Sequence, residues 1–200
     1  GLACFDGIRF RVYGVADGLP DPEVLNMKED SKGRLWLFCF RKKPCYMLNG
    51  RIITEKQDSL LAQLEFHTGM YILSDGLQGR QWLAGHTRRI YCIDGDSLFS
   101  TEVKEGSYVR VLENKDGVLA MGTTNFGRID FKREFKELVT IQNDPRKIPF
   151  ISAAVSGSAI LYSFSNKLLL FEWKNGQVKE VGRRLVSRGN LSTDLHGRFW

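Results

Sequence analysis

The sequence predicts an all-β fold, a β-propeller of four-stranded antiparallel blades, on three observations. An octet recurs, a second turn marker runs at the same period, and helical periodicity is nearly absent. EDSKGRLW at residues 29–36 returns as TDLHGRFW at 193–200, with Asp, Gly, Arg and Trp at the same offsets. Three degraded relatives stand between them. SDGLQGRQW, 74–82, reads as the same device with one residue inserted; ENKDGVLA, 113–120, ends on Ala, and AVSGSAIL, 154–161, on Leu. The last positions, 36, 82, 120, 161 and 200, lie 46, 38, 41 and 39 residues apart.

The second marker is a glycine after Asp or Asn: Gly7 in FDGIRF, Gly50 in LNGRII, Gly95 in IDGDSLF and Gly176 in KNGQVKEV. Its steps are 43, 45 and 81 residues, the last being two periods with one marker lost near IDFKREF, 129–135. Asn-Gly and Asp-Gly between apolar alternations favour type I′ hairpin turns, which need positive φ at both central residues. In the octet, the Asp carboxylate is expected to accept backbone N–H groups of the turn while the Gly takes the left-handed position. The Trp then opens the next strand. The repeat positions are therefore Asp30, Gly33 and Trp36; Asp75, Gly79 and Trp82; Gly117; Gly157; and Asp194, Gly197 and Trp200.

In chain order, residues 1–14 read as the end of one blade. The next blade, 22–57, has strands VLNMK (24–28), RLWLFCF (34–40), CYML (45–48) and RIITE (51–55). DSLLAQLEF, 58–66, fits two turns of helix or an apolar loop or strand equally well. Blades at 66–105, 108–143 and 148–186 follow, and 190–200 starts another. Sheets this small bury both faces only by stacking radially. About four complete blades plus partial ones read as a window cut from a longer propeller. Trp36, Trp82 and Trp200 are expected in the inter-blade core, whereas Trp173, beside a turn, suits either an exposed or a half-buried edge.

The chain has 200 residues, 42% of them hydrophobic and 26% charged, ordinary for a globular protein. Its longest apolar runs, AILYSF and KLLLFEW, fall far short of the roughly 20 residues that span a bilayer. A net charge of +6 invites a nucleic-acid reading, but only Arg41-Lys42-Lys43 and Arg183-Arg184 cluster, so a solvated basic surface is expected and no nucleic acid. Four cysteines, Cys4, Cys39, Cys45 and Cys92, without a CxxC, and three scattered histidines exclude a disulfide scaffold and a zinc site. Cys39 and Cys45 flank FRKKP. They face and bridge each other if that segment is a hairpin loop; otherwise they are small half-buried strand residues.

ADGLPDPEVLNMKEDSKGRLW, 16–36, resembles the two-component regulator propeller repeat: a Gly-Leu-Pro turn, a hydrophobic strand, then Asp-x-x-Gly-x-x-Trp. GLACFDGIRFRVYGVADGLP, 1–20, resembles the stretch that closes one such blade and opens the next. The resemblance covers nearly the whole chain. It is specific in the first blade and weakest over 108–186, where the Trp is lost twice. It implies the periplasmic sensory region of a membrane-bound bacterial histidine kinase, tethered to the inner membrane, with seven or fourteen blades. An immunoglobulin-like domain, a membrane helix and the kinase usually follow. KPCYMLNGRI looks closest to the kinases of Bacteroidetes-like bacteria. The implied partners are a soluble ligand, with carbohydrate as one class, and a second subunit in a homodimer.

No catalytic, cofactor-binding or metal-ligating residue is expected. His67, His86 and His196 follow no helical pattern, and DGLQG, 75–79, reads as a blade turn rather than a nucleotide box. The octet also differs from the sialidase Asp-box, since Asp30 and Trp36 are six apart rather than five. No G-x-S-x-G, H-E-x-x-H or P-loop is present. The expected function is ligand sensing, with no enzyme within these residues. The alternatives are a free-standing interaction scaffold and a polysaccharide hydrolase or lyase, which needs a carboxylate pair roughly 5–10 Å apart. No ligand-binding set is fixed; the loop residues able to contribute are Arg41, Lys42, Lys43, Arg88, Arg89, Asn125 and Arg146.

Overall fold

A computed structural model describes residues 1–65, 72–85, 88–103, 108–123, 125–130, 132–141, 151–164, 167–185, 191, 194, 196, 198 and 199. The chain divides into two compact units, Gly1–Val103 and Lys104–Trp200. The fold is all-β: among the described residues, four-stranded antiparallel sheets of propeller-blade form, with strands in simple up-and-down order.

The first unit opens on a hairpin, β1 (Leu2–Phe5) with β2 (Phe10–Tyr13). Its first full sheet is β3 (Val24–Glu29), β4 (Leu35–Cys39), β5 (Cys45–Leu48) and β6 (Arg51–Ile53). The helix α1 (Ser59–Gln63) follows, N-capped by Asp58, whose carboxylate accepts the Leu60 N–H at 2.8 Å. Residues 59–63 thus take the helical alternative, and Leu61 packs into the core. The second sheet is β7 (Ile72–Asp75), β8 (Gln81–Ala84), β9 (Arg89–Asp94) and β10 (Ser97–Glu102).

β4 shows why these sheets stack. Side chains alternate across a strand, and here both faces are buried. Trp36 and Phe38 join Leu61, Leu64, Leu73, Leu83, Tyr91 and Ile93 between the two sheets. Leu37 and Cys39 face the other way, with Cys45, Leu2, Tyr13 and Leu19 under the hairpin. Each such apolar side chain removed from water contributes about 1.5–3 kcal/mol.

In the second unit, one sheet is β11 (Tyr108–Asn114), β12 (Gly117–Gly122), β13 (Asn125–Ile129) and β14 (Phe135–Thr140). The other is β15 (Ile151–Ser156), β16 (Ala159–Phe164), β17 (Lys167–Lys174) and β18 (Gln177–Leu185). Here Ala120 and Leu161 stand where other copies have Trp. The missing volume comes from Phe126, Tyr162, Phe171 and Trp173, all in one buried cluster. Phe126 meets Tyr162 and Phe171 edge-on at 5.0 and 4.9 Å. The Tyr162 hydroxyl crosses from β16 to donate to the Gly122 carbonyl at 2.8 Å. Trp173 is 2% exposed, so it is core rather than edge.

The octet works through one carboxylate. Asp30 Oδ1 accepts the N–H groups of Lys32 and Arg34 at 2.9 and 3.0 Å. Its Oδ2 accepts Arg34 Nε and the Trp36 indole Nε1, both at 2.7 Å. Gly33 takes φ 73°. Asp194 repeats the turn, accepting the N–H groups of His196 and Arg198 at 2.9 Å and Arg198 Nε at 2.7 Å. Gly197 and Trp200 lie outside the described residues.

The copy at 74–82 carries no insertion. The Gly76 N–H closes on the Arg80 carbonyl as the Asp30 N–H closes on Arg34, so Gly76 holds the Asp30 position. Asp75 pairs with Gln81 as Glu29 pairs with Leu35. Its carboxylate instead reaches the preceding sheet, to Lys28 Nζ at 3.1 Å and the Ser31 N–H at 3.4 Å. Gly79 keeps its left-handed φ of 75°, and Trp82 is buried. The copies at Gly117 and Gly157 shorten to two-residue turns, Lys115-Asp116 and Gly157-Ser158.

The second marker also divides. Asn49-Gly50 and Asn175-Gly176 are two-residue turns with positive φ at both positions, as type I′ requires. In IDGDSLF the turn pair is Gly95-Asp96, with Asp94 still in the ladder. FDGIRF makes a four-residue loop in which Asp6 Oδ1 accepts the N–H groups of Ile8 and Arg9. The lost marker has become an octet-type turn. The Asp130 N–H closes on Glu134, Asp130 Oδ1 accepts the Glu134 N–H, and Arg133 takes φ 64° where a glycine would sit.

Candidate functional site: the loop end of the sheets

Connections in an antiparallel meander alternate between the two ends of the sheet. The octet turns and second-marker turns therefore share one end of each sheet, where their side chains close the backbone. The opposite end carries the longer connections: β4 to β5, and the links between sheets.

At that end of the first unit lies a cleft of about 390 Å³. It is built from Val15, Gly18, Leu19 and Pro20 of the β2–β3 link, Lys42, Lys43 and Pro44 of the β4–β5 loop, and Ile52 and residues 54–57 after β6. Local bonds fix each segment. Asp17 Oδ2 accepts the Gly14 N–H at 2.9 Å, and Gly18 turns the chain at φ 102°. The Phe40 N–H donates to Glu23 O at 2.9 Å, and the Arg41 guanidinium lies over the Phe40 ring at 5.0 Å. Gln57 Oε1 accepts both the N–H and the hydroxyl of Thr54, at 2.9 and 2.6 Å.

The floor is apolar, with Leu19 and Pro44 buried. The polar lining holds three lysines, Lys42, Lys43 and Lys56, against one carboxylate, Glu55. Lys43 Nζ is 3.3 Å from Glu55 and donates to the Ala62 carbonyl. Lys42 and Lys56 are exposed, and their ammonium groups have no partner among the described residues. The cleft can therefore take a ligand with an apolar face and a negative charge. Its lone carboxylate, Glu55, is paired with Lys43.

The second unit has its own cleft of about 310 Å³, lined by Val139, Thr140, Ile141, Lys167, Leu169, Phe171, Glu180 and Arg183. Arg183 holds Glu180 in a two-pronged pair at 2.8 and 3.0 Å. That hydrogen bond lowers the Glu180 carboxyl below its usual range.

Of the loop residues marked in the sequence, Lys42 and Lys43 reach the first cleft, with Arg41 beside them. Arg89 is drawn to Glu65 at 3.4 Å and Ser100 at 3.1 Å, and the Arg88 carbonyl accepts the Val103 N–H. Asn125 is buried and accepts the Tyr108 hydroxyl at 3.2 Å, so it belongs to the core. Arg146, His67 and His86 lie outside the described residues; His196 is exposed in its turn. Sequence reasoning missed Lys56 and the floor residues, although Gly18-Leu19-Pro20 had already been marked as a repeat turn. Cys39 and Cys45 are unbridged here. Among the described residues, no group of three His, Cys, Asp or Glu side chains could hold a metal ion.

No family model matches this sequence, and no curated protein matches it. Solved structures do. The extracellular domain of BT4673 from B. thetaiotaomicron, described as a one component system, superposes with a TM-score of 0.64 at 14% identity over 100% of this chain. Apo AztD from Citrobacter koseri gives a TM-score of 0.57 at 12% identity over 86% of this chain and 49% of its own. The β-propeller domain of Myceliophteria thermophila Cps50 (Swd1) gives 0.51 at 12% identity over 84% of this chain and 66% of its own. At these identities the likeness is one of fold, and this chain spans 28% of the length of the BT4673 domain.

Proposed function

We propose that these residues form part of an extracytoplasmic, ligand-sensing β-propeller of a membrane-bound two-component sensor, and that the segment itself is non-catalytic. The observation that carries the reading is the loop-end cleft of the first unit, where Lys42 and Lys56 stand unpaired among the described residues over an apolar floor. Two things support the setting: the resemblance of residues 16–36 to the two-component regulator propeller repeat, and the fold shared with a domain described as extracellular. The ligand class is a soluble, negatively charged molecule with an apolar face, such as an acidic oligosaccharide. Small cavities of this size suit short ligands.

In this reading, binding favours one arrangement of two paired sensor subunits, and a kinase encoded outside these residues responds. Binding can shift that equilibrium only by the ligand's differential affinity for the two arrangements. Calorimetric titration with galacturonate oligomers and neutral galactose oligomers of equal length tests the cleft. The acidic series should bind, and the Lys42→Ala, Lys56→Ala double variant should weaken binding about tenfold, the scale of two exposed charge contacts. Equal binding of both series, or no loss in the variant, would overturn the assignment.

A further inference from the structure

The hairpin that carries Lys42 and Lys43 also carries two buried thiols at its base. Cys39 ends β4 and Cys45 begins β5, and the ladder between those strands closes at Leu37 opposite Cys45. Side chains two apart on a strand share a face, so Cys39 lies on the same face as Leu37 and Cys45. All three sit in one cluster, with Cys39 5% and Cys45 0% exposed. Cys45 stands opposite Leu37, its Sγ 3.8 Å from the Leu37 carbonyl, with Cys39 the diagonal neighbour on the same face. Between them runs only the five-residue loop Phe40–Pro44. Cys4 is exposed on the β1–β2 hairpin, and Cys92 lies in β9.

We infer that Cys39 and Cys45 are a dithiol–disulfide pair whose closure pins the Phe40–Pro44 loop and with it the lysine side of the cleft. The hydrogen bond from Cys45 lowers the Cys39 thiol, whereas its bond to Cys39 and its burial hold the Cys45 thiol up. Cys39, the less buried of the two and the one whose thiol is lowered, is the attacking sulfur. The Cys39 thiolate attacks a sulfur of an external disulfide, giving a mixed disulfide and releasing one thiol. Cys45 then loses its proton and attacks Cys39 Sγ, expelling the second thiol. One S–S bond forms within the protein, one breaks in the acceptor, and two electrons and two protons pass to it. An extracytoplasmic location supplies such acceptors. The pairing itself rests on the hairpin geometry, and a test in defined glutathione buffers separates it from the question of location.

Purified chain is equilibrated across reduced-to-oxidised glutathione ratios, quenched with acid, unfolded and alkylated, then mapped by mass spectrometry. The expected result is one cross-linked peptide joining Cys39 to Cys45, with Cys4 and Cys92 alkylated. The bridged form should gain about 4–8 °C in Tm over the reduced form. Amide exchange at residues 40–43 should slow on bridging. Full alkylation of Cys39 and Cys45 at every ratio, or a Cys39 bridge to Cys4 instead, would overturn the pairing. Unchanged exchange in the bridged protein would overturn the pinning of the loop. No variant is needed, so a failure to fold cannot obscure the result.

Discussion

At the scale of single residues, Asp30 does more than close a turn. Its side chain is fully buried yet accepts four hydrogen bonds, and Arg34, which it pairs at 2.7 Å, lies over the Trp36 and Tyr46 rings. Asp30→Ala leaves a buried guanidinium and a buried indole N–H without their acceptor. The expected loss is about 2–4 kcal/mol, read from urea unfolding by Trp fluorescence. Asp75→Ala, from the next copy, should cost no more than about 1 kcal/mol, because its pair with Lys28 is 39% exposed on each side. Equal costs would show that the two aspartates do the same work. Burial is the strongest single influence on the Asp30 carboxyl and pushes it up, but the hydrogen bonds from Trp36 and Arg34 together outweigh it, so its pKa is lowered. A carboxylate depressed in the folded state contributes stability above the ordinary aspartate pKa of about 3.9 and loses it as pH falls through the folded value. Acid unfolding of Asp30→Asn should lack that part of the pH dependence.

At the scale of the element, the hairpins show what the sequence made legible and what it hid. The strand order of the first blade, the Asn49-Gly50 and Asn175-Gly176 turns and the Asp30 turn follow from letters whose chemistry is local. The misread copy at 74–82 aligned Asp75 with Asp30 by letter, whereas the backbone aligns Gly76, a register that only strand pairing reveals. The cleft was half legible. Arg41-Lys42-Lys43 stood out as a cluster, but Lys56 reaches the same cleft from a different connection, and nothing in its neighbours says so. Nor did the sequence mark Gly127. A methyl group there would stand 2.0 Å from the Phe135 ring, and the residue lies at a register shift of the β13–β14 ladder without a left-handed φ. Gly127→Ala should therefore cost about 2–3 kcal/mol by overpacking. Gly50→Ala, at φ 73° with open space around it, should cost only about 1 kcal/mol of backbone strain. Paired thermal melts would reverse this ranking if the ring could swing aside.

At the scale of the whole molecule, the charge of +6 is scattered along the chain rather than gathered in a run. Arg34, Lys28, Lys43, Arg89, Arg183 and Arg198 each face a carboxylate within 4.0 Å. Scattered cations, some already paired, meet few phosphates at once and release few counterions, so binding to duplex DNA at physiological salt should stay at or weaker than about 10 µM, with a shallow salt dependence. A gel-shift titration showing tighter binding would mean that the basic residues align in a way their partners do not suggest. The second unit carries a separate lesson. Where the octet loses Trp, the interior is refilled by Phe126, Tyr162, Phe171 and Trp173 from other strands. Volume is conserved while position is not, which is why the repeat fades in letters over 108–186 and persists in backbone.

In the first full sheet, the segregation of turns to one end and longer connections to the other has a practical consequence for anyone wishing to re-engineer the chain. Register is set where Asp30, Asn49-Gly50 and their counterparts close the backbone, so segments grafted into Phe40–Pro44 or residues 54–57 leave those closures untouched. Such a scaffold accepts foreign recognition loops much as an antibody framework does, and a library confined to these two segments would change what is bound without asking the blade to fold anew.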